Sequence, residues 1–465
     1  MTLPAAGDAR RQPVAALVLF ALSLVVLWAM MSAGSGSKPP AALGSVGTLG
    51  VLACCFVALA FDLVSRLAAV AFGACASLLV GASLGFYTPA DAAAYVVGKA
   101  DTLVLLGGVG LVTGVLAESG FLGRVARRIV QRSQGNGRAV TISLCVVTYA
   151  LSCFVNNLAT ILVIVPVSLL VAEALRIDPE PLVLGEVIAS NLGGASTMIG
   201  DFPNMLIATS VGLPFHEFLF HMAPVCLLQL AVLLALTARM IPSQPQRPQV
   251  VNALLDRLEQ PFDAGVCRRG QVLLLGVVAG LLIAGEVGLS PAIVAALGGV
   301  LALIFGGIPR RALLGRMCLP DIAFFACLFI MVGAVDASGT LNALGRSLAD
   351  LLRTSPTVGA IAVAWTAAAV TSVLNAGPTT ALFVHVLLRA LAPRGAGETI
   401  WWALSLGVCA GSSATLAGAT AGPVAASLME ERGYELTFRG FARTGVPMAL
   451  VFMAITTGYL AISTR

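Results

Sequence analysis

Charged side chains are scarce in this 465-residue chain, 11% of residues against 58% apolar ones. Soluble domains carry about a quarter charged residues, so together with a mean hydropathy of +0.97 this composition excludes a water-soluble globule. Histidine is nearly absent, three residues in all. His216 and His221 stand five apart, off one helical face, and His385 is isolated, so no metal site is expected from them. The ten cysteines lack any CxxC or Cys/His ligand spacing and read as small buried hydrophobes. No nucleotide-binding motif is present, which disfavours ATP-driven work by this chain. Gly81-Ala-Ser83-Leu-Gly85 has the letters of a hydrolase elbow but sits in an apolar run without strand context. With no catalytic constellation and no signalling module, neither an enzyme nor a receptor is expected. The net charge of +5 comes from arginines in short loops between apolar runs, where they set membrane orientation and do not mark a nucleic-acid partner.

What the chain does have is long apolar runs. A bilayer is crossed by about 20 apolar residues, and runs of that kind occur at about 14–33, 45–63, 67–86, 102–118, 184–210, 222–241, 271–287, 291–308, 320–338, 400–428 and 441–462. The first is too long for a signal-peptide core and reads as a retained helix. Two further segments, 140–172 and 357–391, carry polar centres, Asn156-Asn157 and Asn375-Ala376-Gly377-Pro378. They are expected to be re-entrant hairpins whose tips border a cavity. The fold class is therefore an all-α polytopic membrane protein of about eleven transmembrane helices plus two hairpins. Arg124, Arg127, Arg128, Arg132, Arg138, Arg268, Arg269, Arg310, Arg311 and Arg316 all fall on one side of this layout, which puts the N-terminus in the cytoplasm and the C-terminus outside an inner (plasma) membrane. The polar stretch 242–270 reads as a cytoplasmic linker.

Two halves of the chain repeat. Ser119-Gly120 recurs as Ser338-Gly339, and Asn156 recurs as Asn375, each 219 positions on. Gly193-x-x-x-Thr197-x-x-Gly200 returns as Gly411-x-x-x-Thr415-x-x-Gly418, and Phe215-x-x-Phe218 with Pro224 returns as Phe438-x-x-Phe441 with Pro447. An odd number of crossings separates the copies, so the second is expected upside down relative to the first, the inverted repeat of secondary transporters. Residues 1–44 precede the first repeat, 45–241, and the second covers 271–465.

The chemistry concentrates where glycine and polar residues interrupt apolar runs. Ser190-Asn191-Leu-Gly193-Gly194-Ala-Ser196-Thr197-Met-Ile-Gly200-Asp201-Phe-Pro203-Asn204 breaks the 184–210 run, and Gly411, Ser412, Thr415 and Gly418 break the 400–428 run. Unwound backbone at such breaks can coordinate a cation, and the next half-helix can face an anion. Ser152, Asn156, Asn157 and Thr160 at one hairpin tip and Asn375 and Thr379 at the other supply amide and hydroxyl oxygens suited to a hard cation such as Na⁺. Asp201 in the break and Glu186, one turn before Ser190, are the candidate proton carriers. Glu118 and Asp336, at matching helix ends, read as interfacial.

These residues resemble the arsenite permease and NhaD-type sodium/proton antiporter branch of the ion transporter superfamily, which also holds citrate-transporter-like and divalent anion:sodium symporters. The likeness runs from about Leu105 to Pro224 and from about Asp321 to the C-terminus; SNLGGASTMIGDFPN resembles the family's SNxGGxxTxxGDPPN, and GYELTFRGFARTGVP resembles the segment closing the second repeat. Asn156-Asn157 stands where many members have Asp-Asn, Gly422 where the second repeat often has Asn, and the symporters' Ser-Asn-Thr tips are absent. The resemblance implies that Asn156, Asn157, Ser190, Asn191, Gly193, Thr197, Gly200, Asp201 and Asn204 line one half-site and Asn375, Thr379, Gly411, Thr415 and Gly418 the other. The expected function is a secondary active permease for a small inorganic ion or oxyanion, driven by H⁺ or Na⁺, with a citrate or dicarboxylate as the alternative cargo. No cofactor and no resident metal are expected. The expected partners are the bilayer and the small solute; a homodimer and a separate ATPase subunit stay open.

Overall fold

The computed structural model of the chain describes residues 41–60, 64–134, 136–241, 256, 261–391 and 398–463. The expected first helix at 14–33 and most of the linker lie outside the described residues. Among the described residues there are twenty helices and no strand. In the first half they are α1 (Ala41–Ala60), α2 (Arg66–Ser83), α3 (Pro89–Val97), α4 (Ala100–Glu118), α5 (Phe121–Ser133), α6 (Gly137–Ser152), α7 (Asn157–Leu175), α8 (Pro179–Ser196), α9 (Phe202–Val211) and α10 (Phe215–Met240). In the second half they are α11 (Ala264–Val287), α12 (Pro291–Phe305), α13 (Arg310–Gly315), α14 (Leu319–Ala337), α15 (Thr340–Thr354), α16 (Pro356–Leu374), α17 (Ala376–Leu391), α18 (Thr399–Ala414), α19 (Gly422–Glu430) and α20 (Phe438–Ser463). From α4 onward the first half recurs: α4 to α10 correspond in order to α14 to α20, with Gly120 and Gly339 both left-handed at φ 73° and 82°.

Eight stretches among the described residues are long and apolar enough to cross a bilayer, and shorter apolar helices accompany them. Their outward faces are aliphatic: Val272, Leu275 and Ile283 of α11 are all exposed. In water such a face would be costly, so its solvent is lipid, and the protein is an all-α polytopic membrane protein.

Local chemistry sets the helix ends. Asn136 caps α6, Asn156 caps α7, and Asp178 caps α8, where Pro179 fits the first turn. Asp263 accepts from Gly265 N and Val266 N, so α11 starts at Ala264, inside the stretch expected as linker. Left-handed Gly212 and Pro214 likewise start α10 at Phe215, ahead of the expected 222. Four helices were not expected from apolar run length: α3, with a Thr88–Asp91 capping box, the six-residue α13, and the amphipathic α5 and α15. In α5 and α15 the polar residues recur at helical spacing, and α3 and α13 are too short to span, so a search for continuous apolar runs passes over all four.

The chain packs into two compact units, each drawn from both halves of the sequence. One holds α1 to α3, α14, α15 and nearly all of α17. In it α14 packs against α2 and α3, and Gly73 and Gly333 leave room for Met331 and for the rings of Tyr87 and Tyr95. Tyr95 stacks on His385 at 5.4 Å, and Arg389 Nη2 pairs with Asp336 at 2.8 Å. The other unit holds most of α4, then α5 to α13, most of α16, and α18 to α20. Its centre is α8, fully buried from Leu182 to Ser196 and packed against α6, α7, α10 and α18. Leu144, Ile164, Val171 and Leu182 form part of the apolar core beneath it.

Candidate functional site

Both expected breaks are real, and both lie in the second unit. The α8 helix stops at Ser196 because Thr197 turns extended, at φ −134° and ψ 162°. Its hydroxyl donates to Cys153 O at the turn of the α6–α7 hairpin and accepts from Gly200 N at 3.1 Å. Asp201, also extended, caps α9 by accepting from Phe202 N at 2.9 Å. The carbonyls freed by the break are gathered by Asn204, whose Nδ2 donates to Ala195 O and Thr197 O, both at 2.9 Å, and to Gly194 O at 3.4 Å. Asn157 Nδ2 donates to Asp201 Oδ2 at 3.1 Å, locking the hairpin tip to the break. That close approach needs Gly194, since a Cβ there would stand 2.7 Å from Asn157 Oδ1.

The second break repeats the plan. Thr415, extended after α18, donates to Ser372 O at 2.5 Å and accepts from Gly418 N at 3.0 Å. Asn375 sits left-handed at φ 77°, donates to Ala417 O at 3.3 Å and accepts from Thr420 Oγ1 at 3.4 Å. One element is missing. Where the first break has Asp201, the second has Ala419-Thr420-Ala421, and α19 starts at Gly422 with Ala421 at the cap position and no side-chain cap. The N-terminal backbone amides of α19 therefore carry partial positive charge with no side-chain cap and no acidic residue in the first turn.

The two breaks meet across α8 and α18. Asn191 Nδ2 donates to Ser412 O at 3.1 Å, and Ser405 Oγ donates to Asn204 Oδ1 at 2.5 Å. Between the helices is a cleft lined by Asn191, Asp201 and Asn204 on one side and Ser405, Cys409 and Ser412 on the other, with room for about one water or a bare ion. No arginine or lysine lines it. Ser405 and Cys409 were not expected. Ser405 stands alone in an apolar run, and Cys409 occupies the repeat position of Asn191, a correspondence that the offset alone could have flagged.

The other expected residues are distributed around this centre. Ser152 Oγ and Ser190 Oγ are 2.8 Å apart, joining α6 to α8, and Gly193 and Gly411 let the hairpin backbones approach α8 and α18. Asn156 serves its own helix, accepting from Leu158 N at 2.8 Å. Thr379 is buried on α17, in the other compact unit. Glu186 lies away from the cleft lining: fully buried, it takes a hydrogen bond from Ser168 Oγ on α7 through Oε1, while Oε2 has no partner. Asn157 Oδ1 and the Thr160 hydroxyl, one turn apart on α7, are also buried without a hydrogen-bond partner. Thr371 Oγ1, on the hairpin helix beside the second break, is buried without a partner in the same way. Glu118 and Asp336 are ion-paired at matching helix ends, Glu118 with Arg316 Nε at 2.8 Å.

A family model described as citrate transporter matches residues 56–407, most of the chain. The chain belongs to the citrate transporter family. Family membership makes it a multi-pass membrane transporter, and it agrees with the resemblance carried by the broken-helix motif. The magnetosome protein MamN of Paramagnetospirillum magneticum is 35% identical over 411 residues, covering 85% of this chain and 93% of that one. The uncharacterized transporter Rv2684 of Mycobacterium tuberculosis is 30% identical over 365 residues, covering 77% and 85%. The crystal structure of the Alcanivorax borkumensis YdaH transporter shares the fold at a TM-score of 0.53 and 16% identity, covering 77% of this chain and 84% of that one.

Proposed function

We propose that this family member is a secondary transporter of the inner membrane in which a coupling cation, H⁺ or Na⁺, is taken at the first break and a small anion at the second. The observation that carries this reading is the asymmetry of the two breaks. The first presents the carboxylate of Asp201 with the orphaned oxygens of Asn157 and Thr160 on the adjoining hairpin helix, and hard cations prefer such all-oxygen surroundings. The second presents an uncapped helix N-terminus and no acidic side chain, which favours an anion. Inverted repeats about the cleft would let the same pair of sites face either side of the membrane in turn. The orphaned Oε2 of Glu186 is a second place where a proton would satisfy a buried oxygen.

A citrate or dicarboxylate cargo is the second reading, favoured by the family's description. Without a cationic side chain at the cleft, such a carboxylate would depend on helix dipoles and on a co-bound cation. Purified protein in proteoliposomes, screened with phosphate, arsenite, citrate and succinate under imposed pH, Na⁺ and Li⁺ gradients, separates these cargoes. Asp201→Asn keeps the hydrogen-bonding shape and removes the charge. It should abolish gradient-driven accumulation while the protein stays folded, and Glu186→Gln should shift the pH dependence of transport. Full accumulation by Asp201→Asn would sink the cation assignment and leave Asp201 as a helix cap.

A further inference from the structure

Outside the cleft between α8 and α18, the starts of α10 and α18 hold a second cluster of polar side chains. Glu217 and His221 are one turn apart on α10, and Glu398 directly precedes α18; one ligand atom from each lies within 4.8 Å of the others. All three belong to the same compact unit. The helical spacing matters here: counted from His216, His221 is off-face, but counted from Glu217 it is at i+4 and aligned, with Nε2 3.2 Å from Glu217 Oε2. Four ligands about 2.1 Å from a zinc ion stand about 3.4 Å from each other; the 3.2 Å between His221 Nε2 and Glu217 Oε2 matches that spacing, and Glu398, within 4.8 Å, would close in by rotating its exposed side chain.

The histidine is also set up as a ligand. Its Nδ1 lies 3.0 Å from the Tyr459 hydroxyl; in the tautomer in which Nδ1 donates there, Nε2 presents its lone pair on the side of Glu217, as a metal would require. Its ring stacks on Trp402 at 5.1 Å and 16°, and Phe218 meets the same indole edge-on at 4.9 Å, which fixes the imidazole plane.

We propose that Glu217, His221 and Glu398 form a binding site for a divalent transition-metal cation of the Zn²⁺ type, with its fourth position open to water. One imidazole and two carboxylates suit Zn²⁺ better than Mg²⁺ or Ca²⁺, which take oxygen alone. Because Glu398 leads directly into α18, which carries Ser405 and Cys409 at the cleft, a bound metal ties that helix to α10 and stabilises the unit. The inference is independent of the cargo proposed above.

The test uses full-length protein purified without a histidine tag. Co²⁺ added to it should give visible d–d bands at one equivalent, Zn²⁺ should displace Co²⁺, and Zn²⁺ should raise the melting temperature. His221→Ala and Glu217→Gln should each weaken Zn²⁺ binding at least tenfold, whereas His216→Ala and His385→Ala should retain it. Should His221→Ala fail to fold, Glu398→Gln at its exposed position carries the same expectation. Absence of stoichiometric binding to the parent protein, or binding undiminished in Glu217→Gln and Glu398→Gln, overturns the site.

Discussion

Replacing Gly193 with alanine tests whether the hairpin and the broken helix are locked as tightly as the geometry requires. A Cβ at Gly193 would lie 2.9 Å from Ser152 Cβ and from the carbonyl carbon of Tyr149, with Tyr149 O nearer still. Ordinary carbon contacts are about 3.5–4.0 Å, so α6 would have to withdraw by nearly an ångström. The obstacle is mostly backbone and cannot rotate aside. Withdrawal also strains two bonds that join the same helices, Ser152–Ser190 and Tyr149–Ser196, each 2.8 Å. Overpacking costs about 1–3 kcal/mol, and two hydrogen bonds add about 1 kcal/mol each. Alanine's better helix propensity returns up to about 1 kcal/mol. The net expectation is a loss of about 2–4 kcal/mol, set against the 5–15 kcal/mol that stabilises a typical domain. Thermal unfolding in detergent should register a fall of about 5 °C or more. Gly411→Ala should behave alike, since its Cβ would meet Ala368 O and lie 2.7 Å from Thr371 Cβ. Gly276→Ala on α11, with nothing within 4 Å, is the matched control and should be neutral or slightly stabilising. A Gly193→Ala protein melting within about 1 °C of its parent, with transport intact, would refute the close packing of α6 on α8.

Asn204→Ala should cost about 2–4 kcal/mol and abolish transport, because three carbonyls at the end of α8 lose their donor and Ser405 loses its acceptor; melting and uptake measured together check it, and Ser405→Ala should cost less. Glu118→Gln should lower stability by under about 1 kcal/mol, since its pair with Arg316 is 32% and 47% exposed; a melting shift of several degrees would contradict this. Cysteines introduced into a cysteine-free background at 250 and after Arg465 test orientation. An impermeant thiol reagent on intact cells should label only the second, and the reverse pattern would overturn the cytoplasmic linker.

Much of the architecture could be read from the chain alone, and for physical reasons. A bilayer core forces nearly every lipid-facing residue to be apolar, so helices that cross it write their length into composition. Glycine and proline clustered with several polar residues weaken a lipid-facing helix, so the breaks after Ser196 and Ala414 announced themselves, as did the turns at Asn156 and Asn375. Thr197 and Thr415 were expected to line the half-sites; in the structure each hydroxyl closes its break by bonding to its hairpin.

Other features depended on pairings between distant segments. The amphipathic helices α5 and α15 were passed over because their apolar residues are periodic and do not form a run. Ser405 and Cys409 became cleft residues only through the packing of α18 against α8. Sequence placed Glu186 and Asp201 in one group, fifteen residues apart; burial separated them, sending Glu186 to Ser168 on α7 and leaving Asp201 at the cleft. Glu398 came to His221 across a separation that no local pattern encodes. The sequence by itself determined that this is a membrane protein, where its helices break, and that the breaks repeat, because solvent and backbone sterics act residue by residue. The tertiary structure alone decided which oxygens are left without partners and which side chains share a cleft, because those depend on helices meeting that are about 200 residues apart.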